Sequence, residues 1–246
     1  MKAANRERYL LHATLPTHRR KLAQARSIVQ DALAACPSWY VAFSTGKDST
    51  CVLALVREVL PDAVAHHSLH QRMLPESFAY LDRTANVRRV AYQNFDGTDW
   101  AQRWESREAA EAAGARWLDD DEIATRGAPE AGVFLGLRAD EAGYRRVHLR
   151  KNGVLFQAQK TGKWHCNPIA WWSVEDVWAY ILSHQIDYNA AYDRLDELGL
   201  SAAEQRIGPL AVERVLGYGQ LAILRRGWPE IYRNLVAHFP EAATYT

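Results

Sequence analysis

A polar corner between two apolar runs carries residue types that bind phosphate. The sequence FSTGKDST occupies residues 43–50. Small side chains at 44–46 let a phosphate group approach the backbone, hydroxyls donate hydrogen bonds, and Lys47 supplies a cation. Asp48 would repel a bare phosphate, so its carboxylate suits Mg²⁺ binding or a helix cap. The candidate phosphate-binding residues of this corner are Ser44, Thr45, Gly46, Lys47, Asp48 and Ser49.

The flanking runs predict a strand before the corner and a helix after it. Residues 39–43 are apolar and uncharged, as in a strand covered on both faces. Apolar residues from Val52 to Leu60 have helical spacing, and Pro61 ends the run. The unpaired N–H groups of such a helix start, with the helix dipole, favour an anion. The alternative is an ordinary strand-to-helix turn capped by Asp48 or Ser49, and the spacing is not that of a Walker A loop.

The rest of the chain alternates strands and helices, which predicts parallel βαβ units in a doubly wound α/β sheet. Asn152-Gly153 predicts a tight turn, and hence a basic hairpin near 147–160. Ser173 and Asp176 predict a capping box at the start of a helical region. We therefore expect a nucleotide-binding α/β domain over 1–172, with a mostly helical region over 173–246 packed on it. Further predicted strands cover 63–67, 87–92 and 132–137, and predicted helices cover 21–36, 76–86 and 104–113.

Four segments resemble a known family. FSTGKDS resembles the SGGKDS pyrophosphate loop of the PP-loop ATP pyrophosphatases, with Thr45 at the usual first glycine. LPESFAYLDR (74–83), GLRADEAGYR (136–145) and NPIAWWSVEDVWAYI (167–181) resemble segments of the phosphoadenosine-phosphosulfate (PAPS) reductase branch. That branch includes the small subunit of ATP sulfurylase and DNA-phosphorothioation proteins. The matches follow the family's order over residues 39–188.

The resemblance implies an adenine nucleotide alpha hydrolase-like fold with an ATP-type nucleotide over the carboxyl ends of the strands. The implied nucleotide-binding residues are 44–49, Gly136 and Arg138, and the implied catalytic residues are Lys47, Asp48, Arg138 and Arg145, with Mg²⁺ on Asp48. ATP would be cleaved between its α and β phosphates to adenylate a substrate in sulfur metabolism or nucleic-acid modification. In the alternative, the two arginines form surface ion pairs with Asp140 and Glu141.

The late part of the chain departs from the reductases, which carry a C-terminal cysteine or a cluster-binding pair. The last cysteine here is Cys166, and residues 206–210 (RIGPL) keep the arginine and glycine of the family stretch without its thiols. No iron–sulfur cluster is expected. Two alternatives stay open: a sulfonucleotide reductase that uses Cys166 or a partner's cysteine, and a nucleotide-binding module without turnover. Thr45 and the lack of an acidic residue after the second predicted strand are the features that support the latter.

Two other groups of residues suggest binding sites. The histidines of HHSLH (66–70) lack a carboxylate or thiol at metal-ligand spacing, so a role in a loop or at the nucleotide edge is favoured over a metal site. Cations between Arg145 and Lys163 suit a nucleic-acid or protein partner, and the alternative is a solvated ribbon. Any such binding must be local because the formal net charge is only +1.

Cysteine usage and hydropathy predict the compartment. The three cysteines, Cys36, Cys51 and Cys166, form no CxxC pair, which favours a reducing cytosol and a cytoplasmic protein. No apolar stretch has the length of a membrane helix. The predicted binding partner is an adenine nucleotide, and no membrane association is expected. The oligomeric state is left open, with a homo-oligomer as one alternative.

Overall fold

The computed structural model of the protein describes residues 1–69, 73–91, 128–159, 161–207 and 218–238, with 240 and 243. The helix expected over 104–113 lies outside these residues, and the other expected elements are found, except the hairpin near 147–160. The helices are α1 (Ala3–Ala13), α2 (Pro16–Ala35), α3 (Lys47–Arg57), α4 (Pro75–Arg83), α5 (Gly143–Asn152), α6 (Val174–Ser183), α7 (Ala191–Glu197), α8 (Tyr218–Gly227) and α9 (Pro229–His238). The strands are β1 (Trp39–Ala42), β2 (Val64–Leu69), β3 (Val87–Ala91), β4 (Gly132–Phe134), β5 (Leu155–Gln157) and β6 (Trp164–Cys166).

The strands form one six-stranded sheet in the order β3-β2-β1-β4-β6-β5. All neighbours pair in parallel except β5, which lies antiparallel to β6 at the edge. The predicted mostly parallel α/β sheet is therefore confirmed. The chain runs from β1 to β2 and β3 on one side and places β4 on the other. The loops after β1 and β4 thus open beside each other, at the point where α/β sheets bind ligands.

A hydrophobic core fixes α3 and α6 on the sheet. Val41 of β1, Val52 and Val56 of α3, and Trp178 and Ile181 of α6 are fully buried. The 3.6-residue period of α3 puts its valines on one side, so burying them orients the helix and places its first turn at the sheet's carboxyl edge. Each large buried apolar side chain contributes about 1.5–3 kcal/mol to this packing.

The predicted capping box of α6 also anchors the N-terminal helices. Ser173 Oγ accepts the Asp176 amide at 3.3 Å, and Asp176 Oδ2 accepts the Ser173 amide at 2.8 Å. The same carboxylate accepts hydrogen bonds from His12 at 2.9 Å, His18 at 3.2 Å and Lys21 at 2.5 Å. Burial raises the pKa of Asp176, but hydrogen bonds from His18, Lys21 and His12 outweigh it and hold that pKa well below its usual range.

The two histidines and Asp176 also form a set of metal-ligating groups within 4.8 Å of one another. Each oxygen of the Asp176 carboxylate already accepts two hydrogen bonds, and one of these four comes from the Lys21 ammonium. A cation there would have to displace those donors. We therefore interpret the network as an ionic anchor that ties α1 and α2 to α6.

The prediction of a hairpin near residues 147–160 is wrong. Residues 143–152 form α5, and Gly153, with φ of 82°, ends that helix by donating its amide to the Leu149 carbonyl at 3.0 Å. Asn-Gly supplies a positive φ angle to a helix end as readily as to a hairpin turn. Leu149 packs against Ala139 and Ala170, and this tertiary contact favours the helix. The actual hairpin follows, with Leu155 opposite Cys166.

No helix among the described residues is long and apolar enough to cross a membrane. The boundary at residue 172 stays a prediction. Side chains on both sides of it, such as Val41 and Trp178, share one hydrophobic cluster.

Candidate functional site

The loop after β1 is held rigidly at its start. The Phe43 amide donates to the His66 carbonyl at 2.8 Å, and the Phe43 carbonyl accepts Nδ1 of His67 at 2.6 Å. Two residues later Thr45 has φ of 64°, in the left-handed region that β-branched side chains rarely adopt. Its side chain is buried, and its Oγ1 accepts Nδ2 of Asn189 at 3.4 Å. The loop therefore keeps a strained turn, which typically costs about 1–3 kcal/mol.

Backbone N–H groups converge where this loop becomes α3. The first helical bond joins the Thr50 amide to the Gly46 carbonyl at 2.9 Å. The Ser44 amide donates to Ser49 Oγ at 3.2 Å, and the Lys47 amide donates to the Tyr192 hydroxyl at 2.9 Å. Unpaired amides at a helix start favour an anion. Between residues 44 and 50, the amides of Thr45, Gly46, Asp48 and Ser49 have no acceptor among the described residues.

Lys47 adds a cation that is almost fully enclosed. Its side chain is 5% exposed, and its Nζ donates to the Gln205 carbonyl at 3.2 Å. The same Nζ lies 3.4 Å from Asp48 Oδ2 and 5.5 Å from the centre of the Tyr192 ring. Burial lowers the pKa of Lys47, and the Asp48 carboxylate opposes that shift. An ammonium with so little water around it interacts strongly with any anion at the loop.

Arg138 reaches the loop from the segment after β4. Its guanidinium is 5% exposed, and its Nε donates to Asp48 Oδ1 at 2.6 Å. Its Nη1 donates to the Trp172 carbonyl at 3.4 Å and lies 3.7 Å from Asp140 Oδ2. The main partner of Arg138 is therefore the loop residue Asp48, and the predicted surface pair with Asp140 is the weaker contact.

Gly136 allows this approach. A Cβ atom at Gly136 would lie 2.9 Å from the backbone carbon of Asp48 and 2.9 Å from the amide nitrogen of Ser49. The segment after β4 thus lies directly on the first turn of α3, and only a glycine fits there without a backbone shift.

Arg145 makes no direct contact with the loop among the described residues. It stands in the first turn of α5, where its Nη1 pairs with Glu141 Oε2. Glu141 Oε2 also accepts the Arg138 amide at 3.1 Å. This contact is the ion pair with Glu141 that the alternative interpretation of the sequence predicted. Arg145 is connected to the loop only through Glu141, which also accepts the Arg138 amide.

Three residues of the C-terminal region border the loop and were not predicted: Asn189, Tyr192 and Gln205. They lie 144, 145 and 158 residues from their loop partners in sequence. Burial raises the pKa of Tyr192 above its usual value, so the hydroxyl at the Lys47 amide is neutral. Helical spacing alone marks Tyr192 as a core residue, and no local motif distinguishes it.

Cys166, the alternative nucleophile, and the histidines His66 and His67, for which a loop or nucleotide-edge role was favoured over a metal site, are all buried. Cys166 is fully buried, and burial raises the pKa of its thiol above the usual value. A thiolate, the reactive form, is therefore disfavoured there. Burial lowers the pKa of His66 to about 4 and also lowers that of His67. Both imidazoles are neutral near pH 7, and within the described residues neither belongs to a metal-ligand cluster.

Asp48 neutralises both buried cations of the site, because Lys47 and Arg138 both contact it. An incoming polyphosphate would compete with the carboxylate for these cations. Mg²⁺ binds through one or two carboxylates together with substrate phosphates, so Asp48 would hold such an ion only after Lys47 and Arg138 had turned from its carboxylate to phosphate. The arrangement suits binding of a polyphosphate group and stabilisation of charge on it.

Comparisons with known proteins identify the family and the fold. Residues 38–199, more than half of the chain, match the model of the phosphoadenosine phosphosulfate reductase domain. An FMN adenylyltransferase of Candida glabrata in complex with ATP is similar in fold, with 11% identity and a TM-score of 0.52 over 76% of this chain and 65% of that one. The phosphate complex of PAPS reductase from Candida auris matches with 17% identity and a TM-score of 0.47, over 76% of this chain and 88% of that one.

No curated protein matches the sequence. The likeness to the FMN adenylyltransferase structure, at 11% identity, shows a shared α/β fold. The match over residues 38–199 shows that this chain belongs to the phosphoadenosine phosphosulfate reductase domain family.

Proposed function

We propose that the chain binds an ATP-type nucleotide, with the polyphosphate on residues 44–49, and transfers the adenylyl group to an acceptor. The supporting observation is the convergence of free amides and two buried cations, Lys47 and Arg138, at one helix start. The loop amides are already oriented by the turn and the helix start, so they need little rearrangement when negative charge arrives.

In this reaction a nucleophilic oxygen of the acceptor attacks the α-phosphorus. The bond from that phosphorus to the α–β bridging oxygen breaks, and pyrophosphate leaves with the electron pair. Lys47 and the loop amides stabilise the charge on the departing pyrophosphate. Arg138 exchanges Asp48 for a phosphate oxygen, and its planar guanidinium suits two parallel hydrogen bonds. Once released by Arg138, the Asp48 carboxylate would hold Mg²⁺, which would supply neutralisation of phosphate charge.

A thiol-dependent reductase reaction has less support. All three cysteines are buried, and the pKa of Cys166 is raised. A reductase would thus depend on a thiol from another molecule.

The test measures nucleotide binding and turnover on the full chain. Calorimetry with the non-hydrolysable analogue α,β-methylene-ATP and Mg²⁺ reports binding, and pyrophosphate release from ATP with candidate acceptors reports turnover. Lys47→Ala should weaken binding by roughly tenfold or more and abolish release. The matched control is Arg20→Ala, an exposed cation on α2, which should change neither. Normal release by Lys47→Ala would contradict the proposal, and binding without release for every acceptor would favour a module without turnover.

A further inference from the structure

Helix α5 presents an unusual surface beside the site. At 3.6 residues per turn, Arg145, Leu149 and Asn152 share its inward side. Leu149 is the buried residue of the helix. The opposite side is exposed and carries three cations around an aromatic and an aliphatic residue. We call this outward face the α5 face: Tyr144, Arg146, Val147, Arg150 and Lys151.

The cations of the α5 face have no ionic partners among the described residues. Salt bridges link Arg145 to Glu141, but none includes Arg146, Arg150 or Lys151. Arg150 and Lys151 lie in the last turn, where cations favour the helix dipole, whereas Arg146 lies in the first turn, where a cation opposes it. Helix stability therefore does not account for Arg146. With a chain net charge of only +1, this is a local positive surface.

Exposed aromatic rings accompany this charge. Tyr144 is 72% exposed, and Trp171 is 41% exposed. Trp171 directly follows Ala170, which packs under Leu149 of α5. Tyr144 thus belongs to the α5 face, whereas Trp171 lies near the inward side of the same helix. Cations that follow a phosphate backbone, together with rings on which bases stack, are the features of a surface that binds single-stranded nucleic acid.

The α5 face connects directly to the proposed nucleotide site. The segment from Gly136 to Ala142 leads from the first turn of α3 into α5. Within it, Glu141 accepts both the Arg138 amide and the Arg145 guanidinium. Glu141 therefore ties the first turn of α5 to Arg138.

We propose that the α5 face binds a single-stranded nucleic acid that presents the acceptor group, an inference that rests on the proposed adenylyl transfer. An acidic protein would pair with the cations but would leave the two rings in water. A membrane surface would need a broader apolar face than Val147 and Tyr144 offer. Nucleic acid matches both the charge and the exposed rings.

Fluorescence anisotropy with a labelled single-stranded oligonucleotide of about 20 nucleotides tests this. The double variant Arg146→Glu, Arg150→Glu should bind roughly tenfold or more weakly at about 50 mM salt. Its plot of log affinity against log salt should be shallower by about 0.7 for each phosphate that the variant no longer neutralises. The matched control Arg19→Glu, Arg20→Glu makes the same charge change on α2 and should bind like the wild type. Tyr144→Ala should weaken binding by about fivefold or more.

The proposal is overturned if the wild type does not bind the oligonucleotide, if both double variants lose binding equally, or if poly-glutamate binds as tightly as the oligonucleotide. Affinity for α,β-methylene-ATP, measured on the same proteins, separates the two claims. Failure of oligonucleotide binding with intact nucleotide binding removes only the α5 proposal. Intact oligonucleotide binding without nucleotide binding removes the adenylyl-transfer proposal instead.

Discussion

Arg138 and Asp48, ninety residues apart, are joined by a 2.6 Å hydrogen bond from Nε to Oδ1. This contact links the segment after β4 to the first turn of α3 across the point where the strand order reverses. Lys47 Nζ lies 3.4 Å from the other carboxylate oxygen. One carboxylate thus balances two buried cations.

Asp48→Asn should alter the metal dependence of nucleotide binding. The variant loses the carboxylate that competes with phosphate and that fits Mg²⁺. Metal-free α,β-methylene-ATP should therefore bind more tightly than to the wild type, and Mg²⁺ should add little. Calorimetry with and without Mg²⁺ measures both. Asp140→Asn removes an equal charge from an exposed neighbour and should retain the wild-type response. A normal Mg²⁺ effect in Asp48→Asn would show that the ion binds elsewhere.

Thr45 should respond to substitution according to its positive φ angle. Glycine adopts this conformation without steric cost, whereas alanine does not, so Thr45→Gly should be more stable than Thr45→Ala by about 1 kcal/mol. Thr50, in the first turn of α3, is the control, and there the glycine variant should be the less stable by about 0.5–1 kcal/mol. Urea unfolding measures the four free energies. If the glycine variant were less stable than the alanine variant at both positions, backbone strain at Thr45 would be excluded.

Gly136→Ala should damage the site through a backbone clash. The new Cβ would meet Asp48 and Ser49 at 2.9 Å, so the start of α3 must move. We expect a stability loss of about 1–3 kcal/mol, together with weaker nucleotide binding. Gly143→Ala provides the comparison because a Cβ there meets nothing within 4 Å. Nucleotide affinity that is unchanged in Gly136→Ala would show that the β4 segment and the loop are not coupled.

Asp176 should make stability depend on acid pH. Its folded-state pKa is lowered, so its contribution is present above the unfolded-state pKa of about 3.8 and is lost as the pH falls below it. Asp176→Asn should lose about 3 kcal/mol of stability at pH 7, and the difference should shrink toward pH 3. Unfolding curves at several pH values test this. Glu175→Gln, in the same helical turn, should change little, and a pH-independent loss in Asp176→Asn would contradict the ionic explanation.

Much of the fold was predictable because its signals are local. The apolar strand 39–43, the polar corner and the periodic helix after it need no distant contact to be recognised. Residues 147–160 were mispredicted because Asn-Gly serves two kinds of structure, and the contact of Leu149 with Ala170 decided between them.

The candidate site was predictable where its residues form motifs. The loop 44–49 and Arg138 lie in the expected order, and the sheet brings them together at one edge. Tyr192 and Gln205 were not predictable. Tyr192 contacts the loop with its hydroxyl and Gln205 with its main-chain carbonyl, and only the folded chain brings these groups to Lys47. Arg145 matched its motif, but it contacts the loop only through Glu141.

A crystal structure of the full chain with α,β-methylene-ATP and Mg²⁺ tests nucleotide binding at this loop most directly. We expect phosphate oxygens within hydrogen-bond distance of the amides of Thr45, Gly46, Asp48 and Ser49, and of Lys47 Nζ. Arg138 should then contact phosphate instead of Asp48. A nucleotide bound elsewhere, with the contacts of Lys47 to Gln205 and of Arg138 to Asp48 unchanged, would contradict the proposed site.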